Sequence, residues 1–391
     1  MRDVFVVEGL RTPFGSFGGS LSDVHPAVLA ADVIKKLLEK TEVKPDDIDE
    51  VILGQVLTGG FGQAPARQAM RYAGLLDKVH AMTINKVCGS GLKALMLGAQ
   101  SIMLGDSDLA IVGGMENMSM APYALLQARY GYRMGNNEVV DLMIYDALLD
   151  PYTKRHMGEL TEETIKKVGV TREEQDDYAE RSYKLSQKAV ESGIFDEEVV
   201  PVVKKTKKGD IVVDKDEEPF RVNFEKLRQL RPVFVKDGTI TAGNASTIND
   251  GAACLLLASE DAVKKYNLKP IGRLVAYATN SIHPDEFSLA PVGAIEKVCE
   301  KAGLKLDDID LFEINEAFAA VVLFAVKKLN LPLDKVNVNG GAVSIGHPVG
   351  ASGGRLAVTL LKEMQRRNAK YGLATLCIGG GEAVSAIFER V

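Results

Sequence analysis

Four residues of this 391-residue chain stand where chemistry is most readily done, at junctions between strand-like and helix-like runs. Cys88 in "INKVCGSGLKAL" closes a polar shoulder and precedes a Gly-Ser-Gly turn and an apolar helical run. A cysteine at a helix N-terminus meets unpaired backbone N–H groups and the positive end of the helix dipole, which favour thiolate and make the sulfur a nucleophile. Gly89 and Gly91 are expected to admit a bulky substrate, with the cysteine's own N–H aimed at an oxyanion. His347 lies in the glycine-rich "NVNGGAVSIGHPVGASGG", and Pro348 should hold that loop extended. Cys377 ends a strand in "ATLCIGGGEAVSAIF", ahead of three glycines whose N–H groups can bind developing negative charge. Asn315 in "FEINEAFAA" separates a strand from a helix, where its amide can fix a water or cap the helix. Singly, each has a plain structural explanation: a small core cysteine, a glycine turn, an N-cap. Together, two thiols, an imidazole and an amide at such junctions predict one converging active site.

The elements that must position them alternate. "DVFVVEGL", "EVILGQVL", "AMTINKV" and "DLAIVGGM" read as strands, separated by helical periods such as "AVLAADVIKKLLEK" and "GLKALMLGAQSIML". This is the pattern of an α/β sheet with crossover helices. The helix after Cys88 is apolar at Leu92, Leu95, Met96, Ala99, Ile102 and Met103, so it should lie buried between layers. The chain also repeats itself: "VKPDDIDEVILGQV" (43–56) returns as "LKLDDIDLFEINEA" (304–317), and "IVGGME" (111–116) is answered by "CIGGGE" (377–382). Cys88 follows Asp46 by 42 residues and His347 follows Asp307 by 40, so a duplicated α/β domain would bring both to one shared face. The expected division is a first half over 1–117 completed by 250–270, an inserted segment over 118–249, and a second half over 271–391. The insertion holds an acidic helix, "TREEQDDYAERSYKLSQKAVES", and a hairpin, "VVKKTKKGDIVVD".

Composition narrows the partners. With 46% apolar and 26% charged residues and a net charge of -6, the chain reads as an ordinary globular protein without a nucleic-acid footprint. The longest apolar run, "AFAAVVLFAV" (317–326), is too short to cross a bilayer, so no membrane span is expected. The opening "MRDVFVVEGLRTP" reads as a strand, without signal-peptide regions, and a reducing, cytoplasmic setting is expected. Four scattered cysteines, with no CxxC and no histidine at ligand spacing, argue against disulfides and zinc.

The segments "VCGSGLKA", "TAGNASTINDGAA", "NEAFA", "NVNGGAVSIGHPVGASG" and "LCIGGG" closely resemble the signature stretches of the thiolase family, and the likeness runs from first strand to last. The resemblance implies a five-layered αβαβα fold of two βαβαβαββ halves, a loop domain inserted in the first half over coenzyme A, and a homodimer or homotetramer. It implies reversible Claisen condensation, or thiolysis of a 3-ketoacyl-CoA, with coenzyme A thioesters as substrates and no bound cofactor or metal. By that likeness Cys88 would be the acylated nucleophile, His347 its base, and Cys377 the acid or base at the second substrate's carbon. His347 and a water on Asn315 would form one oxyanion site, and the N–H groups of Cys88 and Gly379 the other. Coenzyme A would be held by Leu148, His156, Met157, Ser246, Ala317 and Phe318, with Arg221 near the adenine.

His156 in "RHMGELTEE" has a helix-cap alternative, and the basic turn "KKTKKGD" (204–210) reads first as a solvated hairpin tip. Cys254 and Cys299 lie in apolar patterns and read as core, and His25, His80 and His283 receive no role. Where many family members carry methionine and glycine before a proline, this chain has Phe287, Ser288 and Leu289, which leaves acyl length open. Acetoacetyl-CoA is the first substrate expected and longer 3-ketoacyl-CoAs the alternative. A ketoacyl-carrier-protein synthase would replace the second catalytic cysteine by histidine or asparagine, and Cys377 speaks against it. A non-catalytic lipid carrier would be free to lose one of the four groups, and none is missing.

Overall fold

A computed structural model describes residues 2–391. The main sheet is built by β1 (Val4–Arg11), β2 (Glu50–Gly54), β3 (His80–Ile84), β4 (Leu109–Asn117), β5 (Asn249–Ser259), β6 (Gly272–Ser281), β7 (Leu311–Ile314), β8 (Tyr371–Ile378) and β9 (Glu382–Glu389). The helices that matter here are α1 (Pro26–Thr41), α2 (Pro65–Tyr72), α3 (Ser90–Leu104), α4 (Met157–Val168), α5 (Arg172–Glu191), α6 (Ala290–Ala302), α7 (Ala319–Leu329) and α8 (Ser352–Arg367). Strand order runs β7-β8-β9-β6 and then β1-β5-β4-β2-β3, so two half-sheets are apparent. Among the described residues their strands pair at Phe5 with Arg273 and Val6 with Gly272, extended by the Ile271 N–H donating to the Val6 carbonyl at 2.8 Å.

The two halves follow one plan. β2 lies parallel to both β3 and β4, and β7 lies parallel to β8. A short 3-10 turn precedes each repeat strand, Pro45–Asp47 before β2 and Leu306–Asp308 before β7, which is where the repeated Asp-Asp-Ile-Asp falls. The counterpart of β3 in the second half is reduced to a single parallel bridge between Phe312 and Val336. The first half therefore reads βαβαβαββ in full and the second nearly so.

Alternation of side chains explains the layers. β5 is buried along its whole length, with Cys254, Leu256 and Ala258 in one apolar cluster with α1, and Leu255 and Leu257 in another with α3 and α8. α3 and α8 thus fill the space between the half-sheets, α1 and α2 cover one outer face, and α6 and α7 the other. α3 is apolar around most of its circumference because both faces meet a sheet. The stretch Val87–Leu104, apolar enough by composition to cross a membrane, is this interior helix. Cys254 and Cys299 are core, as expected. Between β4 and β5 no segment adds a ladder to the main sheet; that stretch holds α4, α5 and the hairpin Val202–Thr206/Gly209–Val213.

Candidate active site

Cys88, His347 and Gly379 line one apolar cavity of about 280 Å³ at the ends of the two central helices. Cys88 comes from the loop before α3, His347 from the loop before α8, and Gly379 from the turn after β8. Met118, Ile144, Ala147, Phe287 and Val349 supply apolar wall.

The turn that carries Cys88 is strained. Val87 has φ of +45°, a left-handed conformation that costs a β-branched residue of order 1–3 kcal/mol and persists only where the surroundings impose it. Asn85 and Ser90 impose it here: Ser90 Oγ accepts the Lys86 N–H at 2.8 Å and donates to the Val87 carbonyl at 2.7 Å, while Asn85 Oδ1 accepts the Val87 N–H at 2.9 Å.

Two expectations for this loop need correction. Cys88 lies ahead of the Gly89 N-cap, and its thiol is pushed up to about 11 by burial and by the Glu116 carboxylate. The N–H groups of Gly379 and Cys88 itself act the other way and do not win, so the resting group is a thiol. Nor do Gly89 and Gly91 make room for substrate. A Cβ on Gly91 would come within 2.6 Å of the Gly354 nitrogen, and one on Gly89 within 2.3 Å of Ile378 Cδ1. They allow α3, α8 and β8 to close on one another.

His347 is held from three sides. Its backbone N–H donates to Asn249 Oδ1 at 2.9 Å, and its Nδ1 lies 2.6 Å from Ser352 Oγ. The arrangement that satisfies every contact has the Ser352 hydroxyl donating to the Pro348 carbonyl at 3.0 Å, the ring proton on Nδ1 donating to Ser352 Oγ, and the Nε2 lone pair accepting from Asn315 Nδ2 at 3.4 Å. Burial, with Arg355 adding to it, drops the ring's pKa to about 3 and keeps it neutral. Pro348 does not keep the loop extended for long, since its carbonyl also accepts the Ala351 N–H at 2.9 Å in a turn leading into α8.

Asn315 does not cap α7; Phe318 is the N-cap residue and makes no side-chain bond there. Asn315 is fully buried, with Nδ2 3.4 Å from His347 Nε2 and Oδ1 without a protein partner. An orphaned acceptor beside the histidine is a place for a water or a substrate group. Cys377 is fully buried, and its thiol is pushed well up by burial and then by the neighbouring Cys88 sulfur. Of the three glycines after it, Gly379 faces the cavity, whereas Gly380 and Gly381, at φ of +91° and +89°, turn the chain from β8 into β9.

Leu148, His156, Met157, Ser246, Ala317 and Phe318 all line the same cavity. Backbone pairing brings the last three together: Ser246 N–H donates to the Ala317 carbonyl at 3.0 Å, and Ala245 bridges Phe318. His156 has the helix-cap role and a cavity face at once. Its Nδ1 accepts the Gly158 N–H at 3.1 Å in a capping box with Glu159, and its ring stacks on Phe234 at 4.5 Å. That leaves Nε2 for a ligand, with burial lowering the ring's pKa. Arg221 is not in this cavity. It is exposed and lines a second hollow with Tyr183, Asn223 and Lys226, which meets the first at Thr247. Lys205–Asp210 form the exposed end of the hairpin, while half-buried Lys204 pairs with Asp23 and donates to the Ser20 carbonyl at 2.7 Å. Among the described residues no three His, Cys, Asp or Glu side chains gather at metal-binding distance.

Sequence reasoning gave no role to Asn249, Ser352, Val233 or Phe234. Asn249 and Ser352 stand inside the quoted motifs but touch His347 only because the chain closes there; Val233 and Phe234 carry no local signal.

A half-buried thiol, a neutral histidine and a fully buried second thiol stand together between duplicated α/β halves, an arrangement that fits acyl transfer of the thiolase kind. Residues 4–261 match the family described as thiolase, N-terminal domain, and residues 268–390 the one described as thiolase, C-terminal domain, so the chain belongs to the thiolase family. It is 51% identical over 390 residues, covering 99% of this chain and all of the other, to an acetyl-CoA acetyltransferase of Chromobacterium violaceum. It is 47% identical over 392 residues, end to end, to a probable acetyl-CoA acyltransferase of Staphylococcus aureus. The crystal structure of the Bacillus anthracis acetyl-CoA acetyltransferase superimposes with a TM-score of 0.98 at 43% identity, covering 100% of this chain and 99% of that one.

Proposed function

We propose that this enzyme is an acetyl-CoA acetyltransferase, converting two acetyl-CoA to acetoacetyl-CoA and coenzyme A and catalysing the reverse thiolysis, through an acyl group carried on Cys88. The observation that carries the reading is the common cavity of Cys88, His347 and Gly379, with Asn315 behind the histidine. His347 Nε2 takes and keeps the Cys88 proton as sulfur attacks the thioester carbonyl; the Gly379 and Cys88 N–H groups receive the oxyanion; coenzyme A leaves as a thiol with the proton of Cys377, which becomes a thiolate. The Cys377 thiolate then takes a proton from the methyl carbon of the second acetyl-CoA, whose enolate oxygen accepts from the protonated His347 Nε2 and from a water on Asn315. The new carbon–carbon bond forms as the Cys88 thioester breaks, and the departing Cys88 sulfur recovers its proton from His347. Leu148, Met157, His156, Ser246, Ala317 and Phe318 hold the pantetheine arm in an apolar trough. Arg221, in the adjoining hollow, is placed for the far end of coenzyme A.

Residues 118–249 act in this reading as the insertion that covers coenzyme A, between a first half over 1–117 with 250–270 and a second over 271–391. The enzyme works in the cytoplasm without a bound cofactor. A homodimer or homotetramer is supported by exposed apolar residues of the insertion, including Leu126, Tyr130 and Met134.

The decisive experiment is Cys377→Ala with labelled acetyl-CoA. Mass spectrometry should find the acetyl group on Cys88 while acetoacetyl-CoA formation falls by about a thousandfold or more. Persisting turnover with no Cys88 adduct would overturn the scheme.

A further inference from the structure

The proposed chemistry leaves one carboxyl group beside the nucleophile without a task. Glu116, near the end of β4, is fully buried. Its Oε2 accepts the N–H of Val56 at 2.9 Å and of Gly350 at 3.0 Å, and its Oε1 the N–H of Leu57 at 3.1 Å. Val56 and Leu57 follow β2 in the first half, whereas Gly350 belongs to the His347 loop of the second. One side chain therefore fastens the His347 loop to the segment after β2, whose Val56 carbonyl in turn accepts from Asn85 Nδ2 of the Cys88 loop at 3.4 Å. The backbone leaves no slack: a Cβ on Gly114 would lie 1.9 Å from the Gly350 carbonyl oxygen, and one on Gly350 would lie 2.7 Å from the Glu116 carboxylate.

The charge has a second effect. Among the described residues no lysine or arginine pairs with Glu116; its field is met only by those N–H dipoles, with burial and Asp250 pushing its pKa up to about 7. It bears directly on Cys88, whose ionisation it opposes. The titratable groups coupled to it are Cys88 before α3, Asp250 on β5 and, beyond Cys88, Cys377. A carboxylate in that position disfavours a lone thiolate. It opposes a thiolate paired with a histidinium less, because that pair has no net charge.

We propose that Glu116 is a positioning residue for the acyl transfer, fixing the His347 loop, through the segment after β2, against the Cys88 loop, and adding its charge to the burial that keeps Cys88 a thiol until His347 takes its proton. The proposal rests on the reading of Cys88 as nucleophile and His347 as base. In the step concerned the S–H bond breaks and an Nε2–H bond forms, and the sulfur keeps the electron pair that closes on the thioester carbon.

The test uses the full-length enzyme, its Glu116→Gln and its Glu116→Asp variants. Cys88 alkylation by iodoacetamide is followed against pH by peptide mass spectrometry, alongside thiolysis of acetoacetyl-CoA. In E116Q the alkylation inflection should fall by about one pH unit and thiolysis by about tenfold or more. An inflection that stays or rises would overturn the electrostatic role, and unchanged thiolysis the positioning role. E116D keeps the charge and withdraws it by one methylene, so its inflection should match the wild type while thiolysis falls several-fold; if E116Q does not fold, full activity in E116D still overturns the proposal. Acetylation of wild-type Cys88 by acetyl-CoA is measured in parallel. Its absence would remove the underlying reading, while the alkylation profiles would still report whether Glu116 controls this thiol.

Discussion

His347 is the residue whose state the fold controls most tightly. Ser352 fixes which nitrogen holds the proton, and Asn249 fixes where the loop begins. Ser352→Ala removes the acceptor for Nδ1–H and lets the ring adopt the other tautomer; kcat/KM for thiolysis should fall by about tenfold or more, and Ser352→Thr, which keeps a hydroxyl, should recover part of the loss. The same residue gives a stability signature. The ring's pKa is depressed in the folded chain from 6.5 to about 3, so the unfolded chain binds a proton below pH 6.5 that the folded one refuses. Stability from this source is complete above that value and drains away as pH falls toward 3. His347→Asn removes the titration, so denaturation at pH 7 and pH 5 should show a smaller difference in the variant than in the wild type. Cys88 and His347 were conspicuous in the sequence because cysteine and histidine are scarce and each stands at a glycine-rich junction. Asn249 and Ser352 were not, because each acquires its role from one contact that exists only after folding, across 98 residues of chain for Asn249. The resting thiol form of Cys88 was likewise illegible: the helix dipole can be inferred from sequence, but the depth of burial that outweighs it cannot.

At the scale of elements, the contact that matters is between α3 and α8. Both helices begin with glycines at the place where they cross, and a Cβ on Gly353 would come within 2.3 Å of the Leu92 nitrogen. Because Cys88 precedes one helix and His347 the other, the distance between the helix ends sets the distance between sulfur and imidazole. Gly91→Ala or Gly353→Ala forces the helices apart at backbone atoms, which cannot rotate away. Each should cost about 1–3 kcal/mol in urea denaturation and lower kcat more than it raises KM. A mere packing defect would lower the denaturation midpoint and leave kcat alone. The alternation of strands and helices, and the repeat that pairs β2 with β7, could be read from periodicity, since a strand buried on both faces and an amphipathic crossover helix each leave a pattern. The glycines could be seen but not interpreted. A glycine that admits a ligand and one that admits another backbone look alike until the partner is known, and here the partner of Gly91 lies more than 260 residues away.

For the whole molecule, the question is what holds residues 118–249, several of which line the cavity, against the two halves. The attachment is polar and buried at both ends. On the first half, Arg11 of β1 is fully buried and pairs with Glu198 at 2.6 Å and with both oxygens of Asp216 at 2.7 and 2.8 Å. Glu198 also accepts from Thr359 of α8 at 3.1 Å, and Asp216 from the Phe14 N–H at 2.8 Å. On the second half, Glu316, next to Asn315, accepts from Tyr178 and Ser182 of α5 at 2.7 and 2.8 Å. This segment is thus clamped to a strand of one half, to a central helix, and to the segment that carries Asn315. Arg11→Ala would leave two carboxylates buried without a cation, an arrangement expected to cost about 3–5 kcal/mol because the remaining charges cannot reach water. If the clamp serves the site as well as stability, the loss should be visible locally before global unfolding. Amide hydrogen exchange in Arg11→Ala should quicken first at 194–218 and in α5, with KM for acetoacetyl-CoA rising, while the core strands β4 and β5 keep their protection. Uniform acceleration across the chain would instead make Arg11 a general stabiliser with no particular hold on the cover. A lowered thermal midpoint with unchanged exchange at 194–218 would place the clamp elsewhere, with Glu316 the next residue to substitute.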